Sequence, residues 1–308
     1  MSSTIYRFTS SPLFPQLNLA LGSGTMAKSK IFTEYIMAKY HNVNFTDAPI
    51  NPAVNYHFIC AFAVDTEIDA GNGTLIPTDG NFKVYWGDNI SGTSVTAIKQ
   101  NKSNVKVAVG IGGATLEGQE VKFTVLSNVN TWVDNAYTSL KNIIEKYNLD
   151  GIDIDFESFS NESDTPTFTE CIGRLITKLK SDKVIEFASI APYNDTTVQE
   201  MYKALWASTY RNVIDYVNFQ FYAYPEIQNA QQYVQYYDDQ VTNYPGANVL
   251  AGFSTGNEDD KINNCLNGCR ALKAQGRLNG IFNWSADNSL VHNRFNYEAE
   301  AQNILTGS

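Results

Sequence analysis

Two kinds of apolar run alternate along the chain. Short, nearly continuous ones read as strands buried on both faces, and longer ones with an apolar residue every three or four positions read as amphipathic helices. Lys30 to Ile36 is the first strand and Asn55 to Val64 the second. A loop punctuated by Asn72-Gly73, Pro77 and Asp79-Gly80 and a short helix, Ser94 to Gln100, lead to a third strand, Val105 to Ile111, which ends at Gly112-Gly113. Trp132, Val133, Ala136, Tyr137, Leu140, Ile143, Ile144 and Tyr147 then mark one buried helical stripe that leaves Asp134, Lys141 and Glu145 outside. That helix feeds a fourth strand, Leu149 to Glu157.

Thr165-Pro166 supplies an N-cap and first-position pair for the next helix, whose inner face carries Phe168, Cys171, Ile172, Leu175, Ile176 and Leu179. Strands follow at Val184 to Ala191, Ile214 to Tyr222, Asn248 to Phe253 and Gly280 to Ser285, separated by helical patterns near residues 197–208, 230–241 and 259–275 and closed by one at 297–305. Eight strands alternating with helices in 308 residues predict an α/β fold, a single (β/α)8 TIM barrel over residues 30–308. No glycine-rich phosphate loop follows the first strand, which weighs against an open nucleotide-binding sheet. Residues 1–29 read as an N-terminal extension, a leader or a remnant of expression; Pro15, Gln16 and Asn18 interrupt its apolar stretch, so it is a poor secretory signal.

The fourth strand carries the candidate chemistry. Side chains alternate across a strand, so Ile152, Ile154 and Phe156 share one face and Asp153, Asp155 and Glu157 the other. Desolvation and like-charge repulsion both oppose ionising three carboxylates in file. A solvated edge, a hard-cation site and a general-acid site with tuned carboxylates all produce such a row. A barrel works at the C-terminal ends of its strands. That face gathers Glu157 with Gln220 and Tyr222 from strand six and Asn283 and Trp284 from strand eight. His41, His57 and His292 fall elsewhere, against a histidine-held metal or a Ser-His-Asp triad.

Composition narrows the partners. A net charge of −10 and a pI near 4.8 disfavour nucleic acid and anionic membrane and suit a neutral polymer or small molecule. The 18 Tyr, 17 Phe and 4 Trp would serve a sugar-stacking surface, and equally a packed core. Cys60 and Cys171 sit at core positions; Cys265 and Cys269, four apart, form either a local disulfide or two thiols. No apolar run reaches the roughly 20 residues of a membrane span. Asn-x-Ser/Thr triplets at Asn44, Asn72, Asn89, Asn101, Asn161, Asn194 and Asn283 do not establish secretion in a chain this rich in those residues.

Asp150-Gly-Ile-Asp153-Ile-Asp155-Phe-Glu157 resembles the Asp-Gly-x-Asp-x-Asp-x-Glu signature of glycoside hydrolase family 18, the chitinases. The likeness runs from about Lys30 to the C-terminus. It takes in Val105 to Gly113, similar to the family's third-strand Ser-x-Gly-Gly block, Asp215 to Tyr222, similar to its sixth strand, and Gly280 to Asp287, similar to its eighth. It is strongest to the plant chitinases of bulb-forming monocots and their narbonin-related branch, which lack an inserted α+β domain. The resemblance implies an endo-acting, retaining, substrate-assisted chitinase with no cofactor or metal, expected as a monomer that is secreted or vacuolar, with chitin as its partner. It implies Glu157 as the acid, Asp155 orienting the substrate's 2-acetamido group, Asp153 sharing a proton with Asp155, and Tyr222 bonding the acetamido oxygen. Gln220, Tyr35 and Phe62 would line the sugar subsite and Trp284 would floor it. Non-proline cis peptides are implied at Ala61-Phe62 and Trp284-Ser285. Two positions depart from the family: Gly110 replaces a serine, and Ala223 stands where Asp or Asn is usual. A non-catalytic storage, lectin or inhibitor barrel is the alternative, as is the same chemistry on glycoprotein glycans.

Overall fold

The computed structural model of the chain describes residues 30–160 and 164–307, so the N-terminal extension and the Asn161 triplet lie outside it. Eight parallel strands close on themselves: β1 (Ile31–Ile36), β2 (Asn55–Val64), β3 (Val105–Gly113), β4 (Gly151–Phe156), β5 (Phe187–Ile190), β6 (Tyr216–Phe219), β7 (Val249–Ser254) and β8 (Gly280–Trp284). Each pairs with the next, and β8 returns to β1 with Ile31 opposite Gly280 and Glu34 opposite Asn283. This is the (β/α)8 barrel that the alternation predicts.

Helices α1 (Gly92–Asn101), α2 (Val129–Tyr147), α3 (Thr165–Ser181), α4 (Thr196–Ala207), α5 (Ala230–Asn243), α6 (Asp259–Ala274), α7 (Ala286–His292) and α8 (Asn296–Thr306) pack outside, while residues 37–54 connect β1 to β2 without a helix. Local chemistry sets the ends. Ser91 and Ser94 cap α1 reciprocally, and Asn128 accepts from the Thr131 amide at the start of α2. The cap of α3 is Asp164 rather than Thr165: its carboxylate accepts from the Thr167 amide at 2.8 Å, which puts Thr165 and Pro166 inside the first turn.

Strands β5 and β6 are well short of their apolar runs. Val184 and Ile185 bond back to the Leu179 carbonyl as the exit of α3, so β5 starts only at Phe187. Strand β6 stops at Phe219 because Phe221–Ala223 turns into a 3-10 helix.

Strand alternation divides the core. Phe32, Phe58, Val107, Ile152, Ile154 and Val217 face the helices, while Ile31, Tyr35, Ile59, Ala108, Phe187, Tyr216, Leu250 and Phe282 fill the barrel. Asp150, out of register with the other acids, is structural: Oδ1 meets Lys99 Nζ at 2.6 Å and Oδ2 accepts from the Val107 amide at 2.8 Å, tying β4 to α1 and β3. Asn283 also stays away from the mouth. It faces α8, donating to Glu298 at 2.8 Å and Glu34 at 3.1 Å.

All four cysteines are free and buried, Cys265 and Cys269 on the inner face of α6. Burial pushes the thiols of Cys171 and Cys269 up to about 12 and those of Cys60 and Cys265 higher still, which suppresses the reactive thiolate. A disulfide-exchange reagent should therefore find no reactive thiol in the native protein and four in denaturant; a fast native reaction would contradict this packing.

Candidate active site

Strand β4 lies between β3 and β5, with Gly110 and Ser189 flanking Asp153 in register. Ile154 and Phe156 anchor its outer face in the main core, and from α4 the Tyr202 hydroxyl donates to the Ile154 and Phe156 carbonyls at 3.1 and 3.2 Å. The strand end that carries the acids is thereby pinned from outside the barrel.

Inside, the acids have unequal company. Asp153 is fully buried and accepts three hydrogen bonds: Tyr35 Oη to Oδ2 at 2.7 Å, and Ser189 Oγ and Asn218 Nδ2 to Oδ1 at 2.5 and 3.0 Å. Asn218 is itself oriented by the Thr33 hydroxyl at 3.2 Å. Asp155, equally buried, accepts only from Gln220 Nε2 at 2.9 Å. The same amide reaches Glu157 Oε1 at 3.3 Å and is held by the Ala191 carbonyl at 2.9 Å. Glu157 is half-buried at the mouth.

These environments separate the three carboxyls. Burial raises all of them above the usual carboxylate range. For Asp153 the three donors oppose that rise; for Asp155 the charges of Glu157 and Asp153 add to it, and it lies well above the ordinary value. Donors favour the charged form, so Asp153 is the more readily ionised member of the pair and Asp155 the one that more readily holds a proton. Burial also lifts Glu157, partly offset by Gln220, a shift in the direction that a proton donor at the mouth needs. The Gln220 amide protons point at the oxygens a cation would need, so this arrangement suits proton transfer better than metal binding.

An aromatic wall borders the row. Trp284 stacks against Phe62 with centroids 5.9 Å apart and planes at 19°, and Tyr35 packs against both at 5.2 and 6.0 Å. The Ala61-Phe62 and Trp284-Ser285 peptides are both cis. Gly112 and Gly113 allow this closeness. Both have positive φ, a Cβ on Gly112 would sit 2.8 Å from the Asp155 carbonyl, and one on Gly113 would sit 2.7 Å from the Phe62 ring. Tyr222 packs on Phe282 at 5.8 Å, half-buried, with no hydrogen bond to its hydroxyl among the described residues.

Residues 35–252 match glycosyl hydrolases family 18. The chain belongs to that family. It is 46% identical over 284 residues to Chitinase 1 of Tulipa saxatilis subsp. bakeri, covering 91% of this chain and 88% of the tulip protein. The crystal structure of the catalytic domain of a family GH18 chitinase from the fern Peteris ryukyuensis superposes with a TM-score of 0.83 at 46% identity, covering 90% of this chain and all of that one. The RuBisCO-associated protein of Glycine max is 36% identical over 152 residues, 46% of this chain and 50% of that protein.

Against the family pattern, the hydroxyl missing at Gly110 is made good from another strand. Ser189 donates to Asp153, while a Cβ at Gly110 would meet Ile59 and Phe62 at 3.0 and 3.1 Å. Ala223 is exposed. Gln220 and Tyr222 reach the site from a turn rather than along a strand, and Lys261 fixes that turn by donating to the Tyr222 and Tyr224 carbonyls at 2.9 and 2.8 Å. Ser189, Asn218, Tyr202 and Lys261 are absent from the sequence reading. Alternation signals Asn218, two residues from Gln220 on the same inward face, and strand register signals Ser189. Tyr202 and Lys261 act on backbone from helices and leave no local signal.

Holding Asp155 in this place costs stability. A carboxyl whose folded pKa is raised contributes its stabilisation fully below the unfolded pKa and loses it as pH rises through the folded value. Asp155→Asn should therefore unfold at a higher temperature than wild type, by roughly 2–4 °C near neutrality or just above, with the gap shrinking as pH falls towards the ordinary carboxylate range. Thermal unfolding across pH checks this, and a variant less stable at alkaline pH contradicts it.

Proposed function

We propose that this chain is an endo-acting chitinase that hydrolyses β-1,4-linked N-acetylglucosamine polymers with retention of configuration, the substrate's own acetamido group serving as nucleophile. The observation that carries the reading is the intact, unequal acid row: Asp153 under three donors, Asp155 above it with one and a half-buried Glu157 at the mouth.

In this mechanism the sugar sits on Trp284, within the wall made by Tyr35 and Phe62. Glu157 gives its proton to the glycosidic oxygen as the bond from C1 breaks, and the acetamido carbonyl oxygen bonds C1 from the opposite face. Asp155 accepts from the acetamido N–H while its own proton passes to Asp153, so negative charge grows beside the nascent oxazolinium. Tyr222 donates to the acetamido oxygen and orients it, and Gln220 keeps Asp155 and Glu157 in line. Water then attacks C1, Glu157 takes back a proton, and the ring opens to give the original anomer. No separate carboxylate nucleophile is required.

The second reading, a non-catalytic barrel, draws on the half-length similarity to the RuBisCO-associated protein. A chain that had given up catalysis would have no reason to keep two buried carboxyls and a half-buried third with raised pKa values, since such groups lower stability.

Glu157→Gln keeps the shape and removes the proton. It should lower kcat on chitin oligosaccharides by about 10²–10⁴-fold with binding retained; wild-type turnover in that variant would end the assignment. Tyr222→Phe should lower kcat by roughly tenfold while affinity changes less, because its hydrogen bond tightens as the acetamido oxygen closes on C1. Single-turnover rates with an independent binding titration separate the two, and an equal loss in both would remove Tyr222 from the reaction step.

A further inference from the structure

Every strand of the barrel but β1 is followed by a helix before the next barrel strand; residues 37–54 leave β1 without one. The first of them nevertheless belongs to the site. Met37 packs on the same barrel-filling cluster as Phe62 and Trp284, and with Phe62, Gly112 and Leu116 it lines a cavity of about 50 Å³ that continues the aromatic wall. Ala38 follows in a left-handed conformation, φ 54°, which a residue with a Cβ seldom adopts unless its surroundings hold it there.

Two contacts hold this turn in place of a helix. Gly87 donates its N–H to the Met37 carbonyl at 2.8 Å, so closely packed that a Cβ at Gly87 would lie 1.9 Å from the Ala38 carbonyl oxygen. Oδ2 of Asp287 accepts the Met37 N–H, also at 2.8 Å. Asp287 lies in the first turn of α7 and is 1% exposed. A carboxylate is costly to bury, and this one bonds a main-chain amide 250 positions away in sequence rather than a cation.

The other end of the link is fixed as well. Trp284 stands three residues before Asp287, and its carbonyl accepts from the Thr255 amide at 2.9 Å. The next carbonyl, that of Ser285, accepts from the Thr255 and Ser289 hydroxyls, each at 3.1 Å. The turn that carries Trp284 is thus tied to the exit of β7 and to α7, and Asp287 ties the exit of β1 to that turn.

We propose that Asp287 is a positioning residue for substrate binding: its carboxylate sets the Met37–Ala38 turn against the Trp284 turn, so that Met37 extends the sugar-binding wall beside Phe62. This rests on the chitinase reading of the site and adds to it a residue that touches no substrate. The acid row stands on β4 and its amide on the turn after β6, so the loss of Asp287 weakens the hold on the sugar and spares the chemical step.

The test is a binding titration of a soluble chitin oligosaccharide, with kcat and KM measured alongside. Asp287→Ala removes the acceptor. Its Kd and KM should rise about tenfold with kcat within about twofold of wild type, the pattern of lost uniform binding. Asp287→Asn keeps an oxygen for the Met37 N–H and should bind within about threefold of wild type. Met37→Ala should raise Kd by a similar factor to Asp287→Ala, and the double variant should bind little worse than either, because both changes act through one side chain. A merely structural role would lower the unfolding temperature and leave Kd in place. An unmoved Kd in Asp287→Ala, a loss confined to kcat, or factors that multiply in the double variant overturns the proposal. If Asp287→Ala does not fold, a raised Kd in Met37→Ala with a near wild-type Kd in Asp287→Asn supports it, and an unmoved Kd in Met37→Ala overturns it. A wild type that binds the oligosaccharide without cleaving it defeats the hydrolase reading alone, and the titrations still decide Asp287; a wild type that does neither overturns both.

Discussion

Three carboxyls on the inward face of one barrel strand cannot all be charged once water is excluded, and the surroundings of β4 follow from that constraint. Burial opposes ionisation for Asp153, Asp155 and Glu157 alike; what separates them is the supply of donors. Asp153 has three, Asp155 has one that it shares with Glu157, and Glu157 alone has partial access to solvent. The barrel delivers these donors by strand register, because residues paired on neighbouring parallel strands turn their side chains to the same face. Ser189 beside Asp153 is the clearest case.

The same constraint explains what is spent elsewhere. Gly112 and Gly113 give up side chains so that β3 can lie against Asp155 and Phe62, and the Gln220–Tyr222 turn is held by a lysine from α6. Each removes freedom from a group that faces the substrate in the proposed mechanism, the preorganisation on which electrostatic stabilisation of a transition state depends.

Much of this was legible in the sequence. The acid row, its parity and its place fourth among eight strands follow from period-two alternation and from counting apolar runs. Periodicity cannot see where a strand yields to another structure. It extended β6 through Tyr222, where a 3-10 turn begins, started β5 at Val184, where the exit of α3 still holds the backbone, and set Asn283 at the mouth although its parity turns it to α8. Contacts made across the barrel were beyond reach. Gly110 read as a lost hydroxyl, and only the fold reveals that Ser189, on a different strand, supplies one to the same carboxylate. His57 read as lying outside the chemistry, and by position it does: its ring bonds the Tyr216 hydroxyl inside the barrel, away from the acids.

The central claim is that the unequal acid row lets the substrate's acetamido group attack from the face opposite the leaving oxygen, so that the carbon is inverted twice. The anomer of the first-formed product tests this most directly. Proton NMR recorded during early hydrolysis of a chitin oligosaccharide should show the β anomer ahead of mutarotation; initial formation of the α anomer would contradict the account.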